Sequence, residues 1–268
     1  MKYIYFDSID STNNEAKRMI SRAQVSENLC LVAFEQTAGR GRQGKSFFSP
    51  DTGLYMTVVL PIGKPISSQV TMTVRTAAAV CSAIEEVTWI SAGIKWVNDI
   101  YVRGKKCCGI LCEAVNDYEK GIMQYMIAGI GINIYTKEWP EELKNIAGSL
   151  YEEDPDVIGK KISNRDTRKD IRLPDKPDTE TVAGRLTEKI AEGLKSWIFD
   201  VPEDDFLSYY KSHSIVLGKE IVFTQDGESR TGTAVDIDEN GGLIVAAGLK
   251  EKSETIVLRS GEISIKVL

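Results

Sequence analysis

The chain has one histidine, His213, among 268 residues. That scarcity removes most chemistry built on imidazole. A Ser-His-Asp triad, a Cys-His dyad in the main body of the chain and a multi-histidine metal site all lack their central residue. Cysteine is sparse as well. There are five, an odd count, with Cys107 and Cys108 adjacent and no Cys-x-x-Cys pair. Neither a disulfide framework nor a thiolate zinc site fits that pattern, so reduced thiols and a cytoplasmic protein are expected. No apolar run reaches roughly 18 residues, which argues against a membrane span. The start, MKYIYFDSID, lacks the apolar segment of a signal peptide. A basic surplus is missing too: the formal net charge is −6, which gives no support for non-specific binding to nucleic acid or membrane. Any chemistry must therefore rest on lysine, arginine, carboxylates and backbone groups.

What is present reads as an α+β protein. Tyr3 to Phe6, Leu29 to Phe34 and Leu54 to Leu60 are apolar strand candidates. Thr12 and Glu15 have capping-box spacing, so a helix is expected from there through Ile20. From Ser68, the residues Val70, Val74, Ala77, Ala78, Cys81, Ile84 and Val87 recur at helical spacing and predict a long buried helix. Ile94 to Trp96, Ile100 to Val102, Ile110 to Ala114 and Ile122 to Ile134 then read as strands of a meander. Residues 152 to 178 are crowded with charge and carry three prolines, and read as a solvated loop. Val182 to Trp197 has an amphipathic helical pattern, and a shorter helix is expected at Asp204 to Ser212. After His213 the pattern becomes short strands separated by turns such as Asn240-Gly241-Gly242, a small β-barrel too small to hold much core alone. The expected division is 1–213 and 214–268.

The stretch GRGRQGKS, Gly39 to Ser46, fits the written pattern of a phosphate-binding P-loop. Its surroundings do not. A P-loop needs a helix directly after its serine, because the helix N-terminus holds the phosphates. Here Pro50 and Gly53 follow within seven residues, and the next periodic element looks like a strand. The alternatives are a surface hairpin with incidental arginines, or a glycine-rich loop that wraps a ligand and presents Arg40 and Arg42 to phosphate or carboxylate.

The loop is one of five segments in a fixed order: Ser11-Thr12-Asn13, Gln36 to Gly44, Lys95-Trp96-Val97-Asn98-Asp99, Lys105 to Leu111, and Gly129-Ile130-Gly131-Ile132-Asn133. Together they resemble the catalytic domain of biotin–protein ligases, across most of residues 3 to 150. Ser260 to Ile265 is similar to the end of that family's small SH3-like domain. The resemblance implies the mixed-sheet fold of the biotin–lipoate ligase catalytic domain, which is class II synthetase-like. It implies activation of biotin with ATP and magnesium to biotinyl-5′-AMP, then transfer to a lysine of a biotin carboxyl carrier domain.

By the same resemblance, Ser11, Thr12, Asn13 and Gln36 would bind the ureido ring, and Gly109 and Leu111 would line the biotin pocket. Arg40, Gly41 and Arg42 would wrap the ligand, with Arg42 on its carboxylate and phosphate. Lys106 would stand at the reacting junction. Phe47, Asn98, Asp99, Asn133 and Lys266 would serve ATP, with Asp99 organising magnesium. Bland readings stand beside these: helix capping for Ser11 and Thr12, a solvated turn for Lys106, turn capping for Asp99 and core filling for Phe47.

Two departures stand out. Val97 replaces the family's proline, and Ala147-Gly148-Ser149-Leu150 replaces a common Thr-Ser-Leu. A lipoate–protein ligase shares the fold and the adenylate chemistry, but the arginine loop and the C-terminal module favour biotin. A non-catalytic biotin sensor or repressor acting on DNA is not expected, because the sequence opens directly on the strand that the resemblance assigns to the catalytic domain. A homodimer through exposed sheet edges is compatible with the sequence.

Overall fold

The computed structural model describes residues 1–156, 178–225, 227–248, 254–259, 261 and 263–265. The charged stretch expected as a loop falls largely outside them, as does Lys266. Within them lie a seven-stranded mixed sheet, four α-helices and a five-stranded antiparallel sheet.

The large sheet is built from β1 (Lys2–Ile9), β2 (Leu29–Gln36), β3 (Gly53–Pro65), β4 (Gly93–Lys95), β5 (Asp99–Val102), β6 (Lys105–Asp117) and β7 (Ile122–Asn133). Its strand order is β1-β2-β3-β7-β6-β5-β4, with only β1 and β2 parallel. Strands β2, β3 and β7 are covered on both faces, which is why they read as unbroken apolar runs. Cys30, Val32, Val58 and Ala128 face the main core. Their neighbours Leu29, Leu31, Val59 and Ile127 face a smaller cluster with Ala16 and Met19 of α1 (Thr12–Ser21).

The main core lies under α2 (Gln69–Thr88), which packs against β4, β5 and β6 and is backed by α3 (Val182–Phe199) and α4 (Glu203–Ser212). Arg75, a buried cation on α2, closes the α3 end. It donates to the carbonyls of Trp197 (2.7 Å) and Val201 (2.8 Å) and stacks on Phe206. The lone histidine ends α4. Its Nε2 lies 3.1 Å from Glu85, and its ring stacks on Tyr209.

The small sheet comprises β8 (Glu220–Gln225), β9 (Glu228–Ile237), β10 (Leu243–Ala247), β11 (Glu254–Leu258) and β12 (Ile263–Ile265), in the order β11-β10-β9-β8-β12. Its buried residues Phe223, Val245 and Ile256 belong to the same core as the large sheet. That shared core supplies what about fifty residues could not bury alone.

Two expectations, the cap of α1 and the extent of β3, need adjustment. Of the two capping candidates, Ser11 is the N-cap of α1 and Thr12 is not: the Ser11 Oγ accepts from the Asn14 N–H, and Thr12 is already helical. Strand β3 runs past Pro61 to Pro65, beside β7 with a register shift that absorbs the proline. All five cysteines are free thiols, and burial pushes Cys81 and Cys107 up to about 12. No helix among the described residues is long and apolar enough to cross a membrane.

Candidate active site

After Ser46 no helix forms. Gly39 to Ser46 folds back on itself, with Arg40 bridged to Ser46 and the Gly41 N–H donating to the Lys45 carbonyl at 2.7 Å. A single tight turn at Arg42–Gly44 is possible because Gln43 and Gly44 adopt positive φ. The chain then enters β3 at Gly53. The P-loop pattern is therefore coincidental, and the loop arches over the sheet instead.

Beneath it is a cavity of about 430 Å³. Every residue expected to bind a ligand that falls within the described residues lines it: Ser11, Thr12, Asn13, Gln36, Arg40, Gly41, Arg42, Phe47, Asn98, Asp99, Lys106, Gly109, Leu111 and Asn133. The sequence reasoning missed other parts of the wall: Trp139, Ile146 and Ala147 after β7, and Gly261, Ile263 and Ser264 from the C-terminal sheet. Trp139 stands in a polar stretch before Pro140 with no periodic pattern to flag it.

One end is neutral and rich in hydrogen-bonding groups. Ser11, Thr12 and Asn13 at the start of α1 are almost completely buried. Gln36 Oε1 accepts from the Thr12 N–H (2.9 Å), and Gln36 Nε2 donates to Ser49 Oγ (3.1 Å). Asn13 is fixed on both sides of its amide. Its Oδ1 accepts from Thr57 Oγ1 (2.6 Å), and its Nδ2 donates to Glu113 (3.0 Å) and to the Leu111 carbonyl (3.3 Å). Glu113 is in turn paired with Lys17 at 2.7 Å. Gly129 makes room for this amide, since a Cβ there would lie 2.1 Å from Asn13 Oδ1. The Phe47 ring rests on Gly131 and Gly109, within 2.5 and 2.8 Å of where their Cβ atoms would be, and meets Tyr55 edge-on. Phe47 thus packs onto the sheet in the middle of the cavity, rather than standing at its outer wall.

The other end carries fixed charge. Arg42 donates to Asn98 Oδ1 (3.0 Å), and Asn98 is held by donating to the Ile110 carbonyl (2.5 Å). Arg40 donates to Asn14 at the rim. Lys106 Nζ pairs with Asp99 at 2.7 Å. Among the described residues, Asp99 is the only carboxylate lining the cavity, against Arg40, Arg42, Lys45, Lys95 and Lys106. The Tyr101 hydroxyl on the same wall is pushed up to about 12, by burial first and then by Asp99. No group of three or more His, Cys, Asp and Glu residues that could hold a metal occurs among the described residues.

The backbone of Lys106 is clamped from both sides: its N–H donates to the Ile146 carbonyl, and its carbonyl accepts from the Gly148 N–H, both at 2.9 Å. Gly148 is a departure that this clamp accounts for, because a Cβ there would meet Lys105 Cβ at 2.7 Å. Asn133 donates to the Gly148 carbonyl (3.1 Å), while its Oδ1 is buried with no hydrogen-bond partner among the described residues. Val97, the other departure, is a buried core residue whose carbonyl accepts from Tyr210.

Comparison with known proteins agrees with this geometry. Residues 5–133 match the model of the biotin/lipoate A/B protein ligase family, and residues 216–266 match that of the biotin protein ligase C-terminal domain. The chain is 37% identical over 150 residues to the bifunctional ligase/repressor BirA of Bacillus subtilis. That match spans 55% of this chain but only 45% of the relative. It is 24% identical over 262 residues to the biotin–[acetyl-CoA-carboxylase] ligase of Mycobacterium tuberculosis, spanning 94% of this chain and 85% of that one. Among solved structures, the biotin protein ligase from Aquifex aeolicus in complex with biotin and ATP superposes with a TM-score of 0.72 at 29% identity, covering 99% of this chain and 98% of that one. An arginine-to-glycine mutant of the Aquifex protein in complex with biotin matches at 30% identity, with the same coverage and a TM-score of 0.71. The chain belongs to the biotin/lipoate A/B protein ligase family.

Proposed function

We propose that this chain is a biotin–protein ligase, which joins biotin to ATP and passes the biotinyl group to a lysine of a carrier domain. The observation that carries the reading is the two-ended cavity. A buried, uncharged hydrogen-bonding recess lies at one end and a cluster of cations at the other, joined by glycine-floored sheet. A ligand with a neutral cyclic amide at one end and a carboxylate at the other suits that layout. In the first step a carboxylate oxygen bonds to the α-phosphorus of ATP, and the bond to pyrophosphate breaks. Two anions must meet, so fixed positive charge is needed where charge accumulates. Arg42 and Lys106 have the chemistry for this. In the second step a carrier amine attacks the acyl carbon and AMP leaves.

In this reading Ser11, Thr12, Asn13 and Gln36 bind the ring, and Gly109, Leu111, Arg40 and Gly41 enclose the acyl chain. Phe47, with its ring on the cavity floor, packs against the ligand. Asn98 orients Arg42. The free Oδ1 of Asn133 accepts a hydrogen bond from the nucleotide, and Trp139, Ile146 and Ala147 offer an apolar wall for its base. Magnesium usually keeps several waters and takes one or two carboxylates together with substrate phosphates. Asp99, the one carboxylate among the described lining residues, fits that limited protein share. The division at about residue 213 is kept as two modules, 1–213 for catalysis and 214–268 for completing the site.

Incubation with ATP, magnesium, biotin and a biotin-carrier domain should add one biotinyl group to the carrier by intact mass. An adenylate formed from lipoate but not from biotin would replace this reading with a lipoate ligase. A second expectation concerns the recess. Gly129→Ala must push the Asn13 amide aside and break its bonds to Thr57, Glu113 and Leu111. Overpacking of this kind costs about 1–3 kcal/mol. Calorimetric titration should show biotin affinity reduced by more than about tenfold. Affinity equal to the parent's would take Asn13 out of ring recognition.

A further inference from the structure

The turn between β9 and β10 packs on the large domain behind Trp96, a residue of the cavity wall. Asp238 builds it. Its Oδ1 accepts the N–H groups of Asn240 (2.9 Å) and Gly242 (2.8 Å), and its own N–H donates to the Gly242 carbonyl (2.9 Å). Arg259, just past β11, pairs with the same carboxylate at 2.7 Å. The turn then docks on the large domain at three points. Thr71 of α2 donates to the Asn240 carbonyl (3.2 Å). Gly241, at φ +83°, lies so close to Val74 that a Cβ would fall 2.8 Å from it. The Gly241 carbonyl accepts the indole N–H of Trp96 at 3.0 Å. Trp96 is 3% exposed, lines the cavity, and stands two residues before Asn98, the acceptor for Arg42.

We infer that Asp238 and Trp96 are positioning residues: the Asp238 turn holds the Trp96 indole through Gly241, and so fixes the Asn98–Arg42 contact at the charged end of the site. The inference rests on the reading of this chain as a biotin-adenylating enzyme. A buried indole N–H left without an acceptor is unfavourable, so loosening the turn gives the ring reason to shift. The short connection that carries Trp96 also carries Asn98, and a shift in one moves the other. The ring recess is built from α1, β2, β3, β6 and β7 and shares none of these contacts. ATP use and biotin binding should therefore respond differently, which a general loss of stability would not produce.

The test uses the full chain as Trp96→Phe, Asp238→Ala, Asp238→Asn and the Trp96→Phe/Asp238→Ala double variant. Readouts are biotin-dependent ATP–pyrophosphate exchange, calorimetric biotin affinity and thermal unfolding. Trp96→Phe and Asp238→Ala should each lower kcat/KM for ATP by about tenfold, the scale of one buried hydrogen bond, with biotin affinity within about twofold of the parent. Asp238→Asn keeps an oxygen for the two turn N–H groups and should stay near the parent. The double variant should be no worse than the worse single, because both act through one contact. ATP constants unchanged in Trp96→Phe would overturn the inference, as would losses that add in the double variant. A parent chain that fails to exchange with biotin would overturn the functional reading itself, whereas an active parent with indifferent variants would sink only the inference.

Discussion

Lys106→Ala should slow biotinyl-adenylate formation by about 100- to 1000-fold while the protein stays folded, the scale of removing one donor aimed at developing charge. The fold should survive because the backbone of Lys106 is held by its own N–H and carbonyl, at Ile146 and Gly148, and neither bond involves the side chain. The loss on the stability side is the ion pair with Asp99, whose members are 32% and 21% exposed in their side chains. A pair that wet contributes about 1 kcal/mol or less. The catalytic loss is larger because the ammonium would be needed where carboxylate and phosphate converge and negative charge builds up. Exchange of pyrophosphate into ATP in the presence of biotin measures the first step without any carrier. A rate within a few-fold of the parent would remove Lys106 from the chemistry and leave it as Asp99's partner.

Arg42→Gly should leave adenylation measurable but let the adenylate escape about 10 to 100 times faster, the range expected for a charged hydrogen bond of about 1.5–3 kcal/mol. Arg42 is anchored in advance by Asn98, which is itself tied to the Ile110 carbonyl, so its guanidinium needs little ordering to meet an anion. Its loss would remove both the charge and the preorganisation. An activated acyl group released into solution acylates whatever amine it meets. The variant should therefore label added bystander proteins with biotin, in proportion to their exposed lysines. A dissociation rate equal to the parent's, with no bystander labelling, would assign retention to other groups.

Much of the cavity was legible in the sequence because its polar residues cluster in short segments that glycines punctuate. Gly39 to Arg42 and Gly129 to Asn133 carry their own explanation: backbone must approach something closely, and nearby polar groups say what. The order of strands was less accessible. That β1 pairs parallel with β2 while the rest is antiparallel depends on α1 crossing one face, which no local pattern records. Thr12 looked like the helix cap because its spacing to Glu15 suits a capping box, but Ser11 takes that place and leaves Thr12 free to meet Gln36. Trp139 and Ile146 were invisible for a different reason. They act from an irregular segment held in place by backbone hydrogen bonds to Thr52 and Lys106, distant in sequence, so no periodicity marks them. Trp96 was read as part of a motif, yet its partner lies on the C-terminal sheet, far along the chain.

The bridge between Lys106 and Ala147 has a consequence for how the protein can vary. The segment after β7 is pinned at its start, where the Tyr135 N–H donates to the Thr52 carbonyl, and again at Ala147 and Gly148 against Lys106. Between these pins the chain makes an irregular excursion that carries Trp139. Its length can change without moving the lysine, because the second pin resets the register. The wall that would face the nucleotide base can thus be lengthened or trimmed like a hem, while the stitch at Lys106 keeps that residue in place.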